Sequence, residues 1–395
     1  MTVATDIGAT PIAARALAPD LARGGMLLLI ALANVHVYSF GHALGPRGYP
    51  RELSVPDQVV VVLQMLLVDG RAYPLFALLF GYGIVQLSRR RTSAGIPAAA
   101  LTSLVRRRGW WMVLIGFVHG ALLWPGDIIG AYGLIALIFA GVVLHGSTRG
   151  LVIMAVVGAG LSALFYSAAA LEFPDDAATF LPSMGETNAA VAMVFRIVEW
   201  AAIGFLAGAW TAFGAVALGV LAARHRLLDE PERFVPLLRG LAVGGLTTAV
   251  LLGLPLAMMA AQVVDVSSVP VALAFGLAHA IGGYAGGVGY AALFGLLAIR
   301  LRRRGPGPVT GIVLESGRRS MSSYLAQSVV FVALLPAWTL GLAGVLSVCQ
   351  LFLIAVATWV AITVGAGAMG KAGYRGPAEV VLRRLTYGPT AGAPR

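Results

Sequence analysis

Cysteine is almost missing from this chain: Cys349 stands alone, inside an apolar run. A single thiol gives neither an internal disulfide framework nor a Cys-based metal site. Charge is scarce as well, at 11% of residues against 59% hydrophobic, with a mean hydropathy of +0.87. Ordinary soluble domains carry about 25% charged residues, so that class is excluded. The stretch holding Asp6, Arg15 and Asp20 has no unbroken apolar core and lacks the form of a cleavable signal; it reads as a short cytoplasmic tail. The compact HExxH spacing of a zinc helix is absent, and no metal is expected. The glycines Gly282, Gly283, Gly286 and Gly287 lack the strand-then-helix context of a nucleotide loop, so helix packing is the better reading.

What the chain does have is apolar runs. A membrane helix needs about 20 predominantly apolar residues. Such runs fall at 24–41, 71–88, 109–125, 127–145, 150–171, 197–222, 237–263, 269–299, 320–343 and 346–367. The fold class is therefore all-α, a polytopic membrane bundle of about ten spans. Between the first two runs, Val55–Gly70 is too short to cross and reads as a re-entrant or interfacial helix. Residues 1–23 form the tail, 24–367 the membrane domain, and 368–395 an amphipathic cytoplasmic end with Glu379 on its polar face. Halves at 24–171 and 197–367 are compatible with this count, but no repeat is visible.

The net charge of +11 sits in the connectors between apolar runs. Arg89–Arg91 with Arg106–Arg108, Arg300–Arg304 with Arg318–Arg319, Arg224–Arg239, and His145 with Arg149 mark cytoplasmic loops. Connectors of the other parity carry acid or nothing: Asp127, then Glu172, Asp175, Asp176 and Glu186, then Asp265. Both termini then fall inside. Basic connectors of this kind set topology, so a nucleic-acid surface is not expected.

Ionisable groups inside apolar runs are costly, and they mark sites by default. Asn34, His36 and His42 share one end of the first run, with His36 about 9 Å deeper than His42 on a continuous helix. Asp69 and Arg71 open the second run at its outer face, and His119 comes just before the outer end of the third. Asp127 opens the fourth with Tyr132 below it, and Arg196 and Glu199 share a face at the start of the sixth. His279 falls about ten residues into the eighth, near mid-membrane. Asp69–Arg71 and Arg196–Glu199 read equally well as structural ion pairs, and Asp127 as a helix N-cap. A buried imidazole bonded to a carbonyl is the plain alternative for each histidine. At least one neutral imidazole suits a general base near neutral pH.

Several segments resemble one family. Pro19–Val35, PDLARGGMLLLIALANV, resembles the opening of the YeiB-like bacterial membrane proteins, labelled domain of unknown function 418. Tyr73–Arg90, Arg106–Leu137, Gly317–Ser328 (GRRSMSSYLAQS) and Tyr374–Gly388 resemble that family's later segments, in order. Ala22, Ser322-Ser323, Ala378 and Val380-Val381 depart from its pattern. That family is in turn similar to transmembrane acyltransferases, among them the heparan-alpha-glucosaminide N-acetyltransferases. Those have Asn where this chain has Asn34, and a catalytic His in a His-Ala pair, whose nearest counterpart here is His42-Ala43.

The resemblance implies an acyl-CoA-dependent acyltransferase of the bacterial plasma membrane. In it His42, with His36 as second choice, is the base, oriented by Asp69 or Asp127, and Asn34 stabilises the oxyanion. His119, Arg71, Tyr132, Arg196, Glu199 and His279 line the acceptor path. Arg89, Arg90, Arg106 and Arg107, within the two loop clusters, attract the phosphates of the acyl-CoA. Expected partners are membrane lipids, a lipid, glycan or small-molecule acceptor, and, as an option, a second copy of the chain. The competing reading is a proton-coupled transporter using the same histidines and carboxylates.

Overall fold

Apolar runs punctuated by prolines, glycines and capping side chains fold as helices along the whole chain. The computed structural model describes residues 16–171, 173–174 and 177–388. Glu172, Asp175 and Asp176 of the expected acidic loop, and most of the expected tail, lie outside the described residues. Among those described there is no strand, only the isolated bridges Phe40–Thr179 and Leu44–Pro50.

The helices are α1 (Leu17–Val35), α2 (Val55–Leu67), α3 (Ala72–Ser93), α4 (Ala98–Leu122), α5 (Ile128–His145), α6 (Thr148–Ala168) and the short α7 (Pro182–Gly185). Then come α8 (Ala189–Glu199), running through a π-helical stretch at Trp200–Ala207 into α9 (Gly208–Arg224), and α10 (Val235–Ala260). The remainder are α11 (Val269–Arg304), α12 (Pro308–Arg318), α13 (Ser320–Leu334), α14 (Val348–Lys371) and α15 (Pro377–Tyr387). Side chains start several of them. Ser54, Asp127, Ser147 and Asn188 cap α2, α5, α6 and α8, and Ser347 with Gln350 forms a capping box on α14.

Among the described residues, eight helical stretches are long and apolar enough to cross a membrane. The chain is a multi-pass membrane protein. Two of the expected spans miss that standard for local reasons. Helix α4 holds Arg106–Arg108 in its first half, and α13 has only 15 residues. Both still run beside full-length neighbours, α4 against α5 and α13 against α14. Leu164, Val243, Leu251 and Leu353 point outward from the bundle. A lipid-facing surface tolerates this where water would not.

Of the two readings open for Val55–Gly70, re-entrant or interfacial, the packing of helix α2 inside the bundle favours the first. The helix packs on α10 and feeds through Val68–Arg71 directly into α3, so that Val55–Ser93 is one broken helical stretch. The break turns on Gly70, whose φ of 72° belongs to the left-handed region that glycine adopts without strain. The polar face expected of the C-terminal helix has a partner through Glu379. Glu379 accepts hydrogen bonds from the Met321 (2.8 Å) and Ser322 (3.3 Å) amides and from the Ser322 hydroxyl, so α15 caps the start of α13. Beside it Arg318 and Arg319 both clasp Glu315. Burial pushes that carboxyl up, but the two guanidiniums outweigh it and hold it below its usual range.

Small residues let the broken helix in. A methyl group at Gly283 would run into the Gly70 carbonyl, one at Gly286 would meet the Arg71 stem, and one at Gly287 would meet Pro74. This is the close approach anticipated for the glycine stripe. Gly283→Ala is expected to destabilise the protein by about 1–3 kcal/mol through overpacking against backbone. Gly365→Ala, on an open face with nothing within 4 Å, is expected to be neutral or slightly stabilising. Thermal unfolding of the two detergent-solubilised variants checks the contrast.

Candidate functional site

Two buried polar clusters occupy the bundle, and they divide the expected residues between them.

The first surrounds the α2–α3 break. Asp69 and Arg71 do not open a span at its outer face. They are buried beside His279, ten residues along α11 from Val269 and so about 15 Å from that helix end. Nor do they pair through their side chains. Arg71 gives Nη1 to the Asp69 main-chain oxygen at 2.5 Å and Nη2 to the Ala249 carbonyl at 2.5 Å, with His279 against Nη1 at 3.0 Å. The Asp69 carboxylate is taken instead by Arg47, at 2.9 and 3.0 Å, and its Oδ2 lies 3.3 Å from His279 Nε2.

Arg47 comes from the loop after α1 and rests over the Tyr166 ring at 5.2 Å. Its own φ of 63° is unusual for a residue with a side chain. Burial works against its charge, but the Asp69 carboxylate outweighs this and holds the guanidinium's pKa above its ordinary value. On the other side of the cluster, Gln64 bridges the Leu32 carbonyl (2.6 Å) and His36 Nδ1 (3.2 Å), while His36 stacks on Tyr49 at 4.5 Å.

The second cluster joins α4, α5 and α13. His119 Nδ1 lies 2.8 Å from Asp127 Oδ1, and His119 Nε2 lies 2.8 Å from Ser328 Oγ. All three residues are buried. The other Asp127 oxygen accepts the Gly130 amide at 2.6 Å, so this carboxylate is both the N-cap of α5 and the partner of His119. A carboxylate only accepts, which places the ring proton on Nδ1 and leaves Nε2 to accept the Ser328 hydroxyl. Tyr324, one helical turn before Ser328, stands edge-on to the His119 ring at 5.1 Å, and its hydroxyl proton has no acceptor. Tyr132 lies beyond, stacked on Phe76 and Phe80, its hydroxyl also unpartnered. It borders a cavity of about 150 Å³ together with Tyr73, Tyr166 and the π-helical Ile203 and Ala207.

His42 and Asn34 belong to neither cluster. The α-helix ends at Val35, a 3-10 turn covers His36–Tyr38, and His42 follows on a loop, so the two histidines are not stacked along one helix. Among the described residues neither His42 nor Asn34 has a hydrogen-bonded side-chain partner, and neither Asp69 nor Asp127 orients His42. His42 follows Gly41, which lines a cleft of about 410 Å³ with Phe40, Thr179, Pro182 and Gly185, at the end of the bundle expected to face outward. Arg196 and Glu199 do not pair with each other. Glu199 accepts from the Ser183 amide (2.9 Å) and hydroxyl (2.5 Å), and Arg196 gives Nε to the Ala121 carbonyl at 2.9 Å. Of the loop arginines, Arg89 bonds the Arg224 carbonyl and lies 3.6 Å from Asp229, while Arg90, Arg106 and Arg107 are exposed. Among the described residues no three His, Cys, Asp or Glu gather closely enough to hold a metal ion.

Residues 222–389 match the family described as "Protein of unknown function (DUF418)". An "Uncharacterized protein YeiB" of Escherichia coli (strain K12) is 34% identical over 121 residues, which is 30% of this chain and 29% of that protein. Over residues 222–389 the chain is similar to the DUF418 family. The DUF418 match includes His279 and Ser328, whereas Arg47, Asp69, His119 and Asp127 precede it. The DUF418 resemblance in the sequence had therefore drawn attention to the segment ending in Ser328 without giving that serine a part.

Ser328 and Arg47 are among the residues that sequence reasoning missed. Serine is common in membrane helices, so Ser328 carries no signal until His119 is seen facing it. Arg47 did carry one. Together with Arg51 it puts two arginines in a loop that the arginine rule assigns to the outside, against the expectation that outer loops are acidic or neutral.

Proposed function

We propose that this protein, similar over residues 222–389 to the DUF418 family, is a membrane acyltransferase of the bacterial plasma membrane, moving an acyl group from cytoplasmic acyl-CoA to a hydroxyl or amine acceptor at the outer side. The observation that carries the reading is the alignment Asp127–His119–Ser328 at two successive distances of 2.8 Å. Carboxylate, imidazole and hydroxyl in that order make an activated nucleophile on whatever fold they occur. The base is then His119 and not the loop residue His42.

Ser328 Oγ attacks the thioester carbonyl while its proton passes to His119 Nε2. The carbon–sulfur bond breaks, and His119 returns the proton to the leaving thiolate. The acceptor's hydroxyl or amine then gives its proton to His119 and attacks the acyl-serine, which restores Ser328. Asp127 holds the imidazolium that forms in each half, and the unclaimed Tyr324 hydroxyl is the nearest donor for the oxyanion. Helix α4 links the two ends of this chemistry. Arg108 and His119 are eleven residues apart, about three turns on one face. Cytoplasmic arginines and the base thus lie about 16 Å apart along one helix, a span suited to an extended thioester arm.

The test uses detergent-purified protein and radiolabelled acetyl-CoA, quenched in acid, with the labelled peptide mapped. Label on the peptide containing Ser328 supports the reading. Coenzyme A at a hundred times its dissociation constant should also stabilise the fold by about 2.7 kcal/mol, and Arg106→Ala with Arg107→Ala should weaken that effect. Thermal stabilisation without any label would remove Ser328 as nucleophile.

A proton-coupled transporter is favoured by one specific observation, the buried Arg47–Asp69–His279 cluster at a helix break. Under that reading purified protein should show no coenzyme A dependence, and Asp69→Asn should abolish proton uptake into proteoliposomes.

A further inference from the structure

Arg196 is a buried guanidinium with 2% of its surface exposed, and among the described residues no carboxylate lies within ion-pair distance of it. Its Nε is used by the Ala121 carbonyl, but its buried Nη1 has no hydrogen-bond partner. The nearby carboxylate, Glu199, is held by the Ser183 amide and hydroxyl. Glu199 still attracts the guanidinium from beyond ion-pair distance, but a buried donor without a hydrogen-bond partner is costly, and it calls for a physical account.

The neighbours share the same property. The guanidinium lies over the Trp338 ring at 4.4 Å, and Trp338 Nε1 is buried without a partner. Tyr38 and Trp124 stack at 4.6 Å in the same apolar cluster, and the Tyr38 hydroxyl and Trp124 Nε1 are likewise unpartnered. Guanidinium N–H and indole N–H only donate, and a phenol has a proton to give. Three side chains beside one cation, all with donors to spare, complement a group made of acceptors: an oxyanion.

The position is informative as well. The Tyr38 ring meets Phe331 at 5.8 Å, and Phe331 is three residues beyond Ser328 on α13, away from that helix's cytoplasmic start. The Trp124 amide bonds the His119 carbonyl at 3.0 Å. Phe40, Pro182 and Gly185 of the outer cleft belong to the segments that flank Tyr38 and Ser183. The donors thus lie between the outer cleft and the Ser328–His119 pair.

The geometry points to an oxyanion-binding site at Arg196, formed with Tyr38, Trp124 and Trp338, which receives a phosphate or carboxylate group carried by the acceptor. Assigning the anion to the acceptor rests on the acyl-transfer reading; the anion site itself does not.

The test is thermal unfolding of the full detergent-purified chain, titrated at constant ionic strength with inorganic phosphate in one arm and acetate in the other. At least one anion should raise the melting temperature saturably. Arg196→Gln should weaken that anion by about 10–150-fold, the range for losing a charged hydrogen bond. Trp338→Phe keeps the ring under the guanidinium but removes Nε1–H, and should weaken it by about 2–10-fold. This second variant serves if Arg196→Gln does not fold. The better anion decides between phosphate and carboxylate acceptors. No saturable shift with either anion in folded protein overturns the site, and so does an undiminished shift in both variants.

Ser328→Ala should keep the anion shift. That separates the two proposals: an anion shift without Ser328 labelling removes the acyl-transfer reading and leaves the site standing.

Discussion

Ser328→Ala is expected to eliminate acylation of the purified protein by acetyl-CoA while leaving its thermal stability nearly unchanged. The serine hydroxyl is an uncharged partner, and losing one such hydrogen bond costs about 0.5–1.5 kcal/mol. His119→Ala should slow acylation by about 10²–10⁴-fold, the usual contribution of a positioned general base. It should also destabilise by about 3–5 kcal/mol, because Asp127 stays buried with only the Gly130 amide as partner. Ser328→Cys makes the test decisive. A thiol beside His119 remains a nucleophile, so a nucleophile's role predicts a stable thioester label on Cys at that position. A serine that merely ties α13 to α4 predicts no label in any variant. Stability and labelling, measured on the same samples, separate chemistry from packing.

Arg47→Ala is expected to be among the most destabilising single changes in the molecule. Asp69 is 7% exposed and takes both of its short cationic contacts from Arg47, with His279 Nε2 farther off at 3.3 Å. Removing the guanidinium leaves a carboxylate in a low-dielectric interior, and breaking a buried pair in this way costs about 3–5 kcal/mol. Asp69→Asn should cost a comparable amount by leaving Arg47 buried over Tyr166. The double variant should recover most of the loss, since neither charge is then stranded. A coupling energy near zero in that cycle would show that Arg47 and Asp69 do not act as a pair. The left-handed backbone at Arg47 adds a second consequence. Such a conformation costs about 1–3 kcal/mol and is retained only where the surroundings hold it. Arg47→Gly should relieve that strain, and so be less damaging than Arg47→Ala.

The fold was largely legible because its signals are local. Apolar runs of bilayer length, arginine-rich connectors and capping residues such as Asp127 and Ser347 are read from a few neighbouring positions. They gave the all-α bundle and the glycine packing of α11. The two shortfalls, α4 and α13, arise where arginines or a short length interrupt that signal. The fate of α2 was hidden because its apolar stretch is short. Whether such a helix lies on a surface or descends into a bundle is settled by what packs beside it, here α10, and by the turn at Gly70.

The site was legible only as a set of residue types. Histidines and carboxylates in apolar runs were recognisable as costly, and Asp127, His119, Asp69 and His279 were all singled out on that ground. Their pairing was not, since sequence proximity misled twice. Asp69 and Arg71 are two residues apart, yet the carboxylate goes to Arg47, 22 positions earlier. Arg196 and Glu199 share a helix turn, yet Glu199 goes to Ser183, 16 positions earlier. His119 meets Asp127 across a short turn but needs Ser328, 209 positions away, to complete the alignment.

Composition and period by themselves determined that this chain builds a helical membrane bundle with polar groups inside it. Only the tertiary structure decided which of those groups face each other. A helix's length is written along the chain, whereas its rotation and depth are set by packing against helices far away in sequence, and hydrogen-bond partners follow from rotation and depth alone.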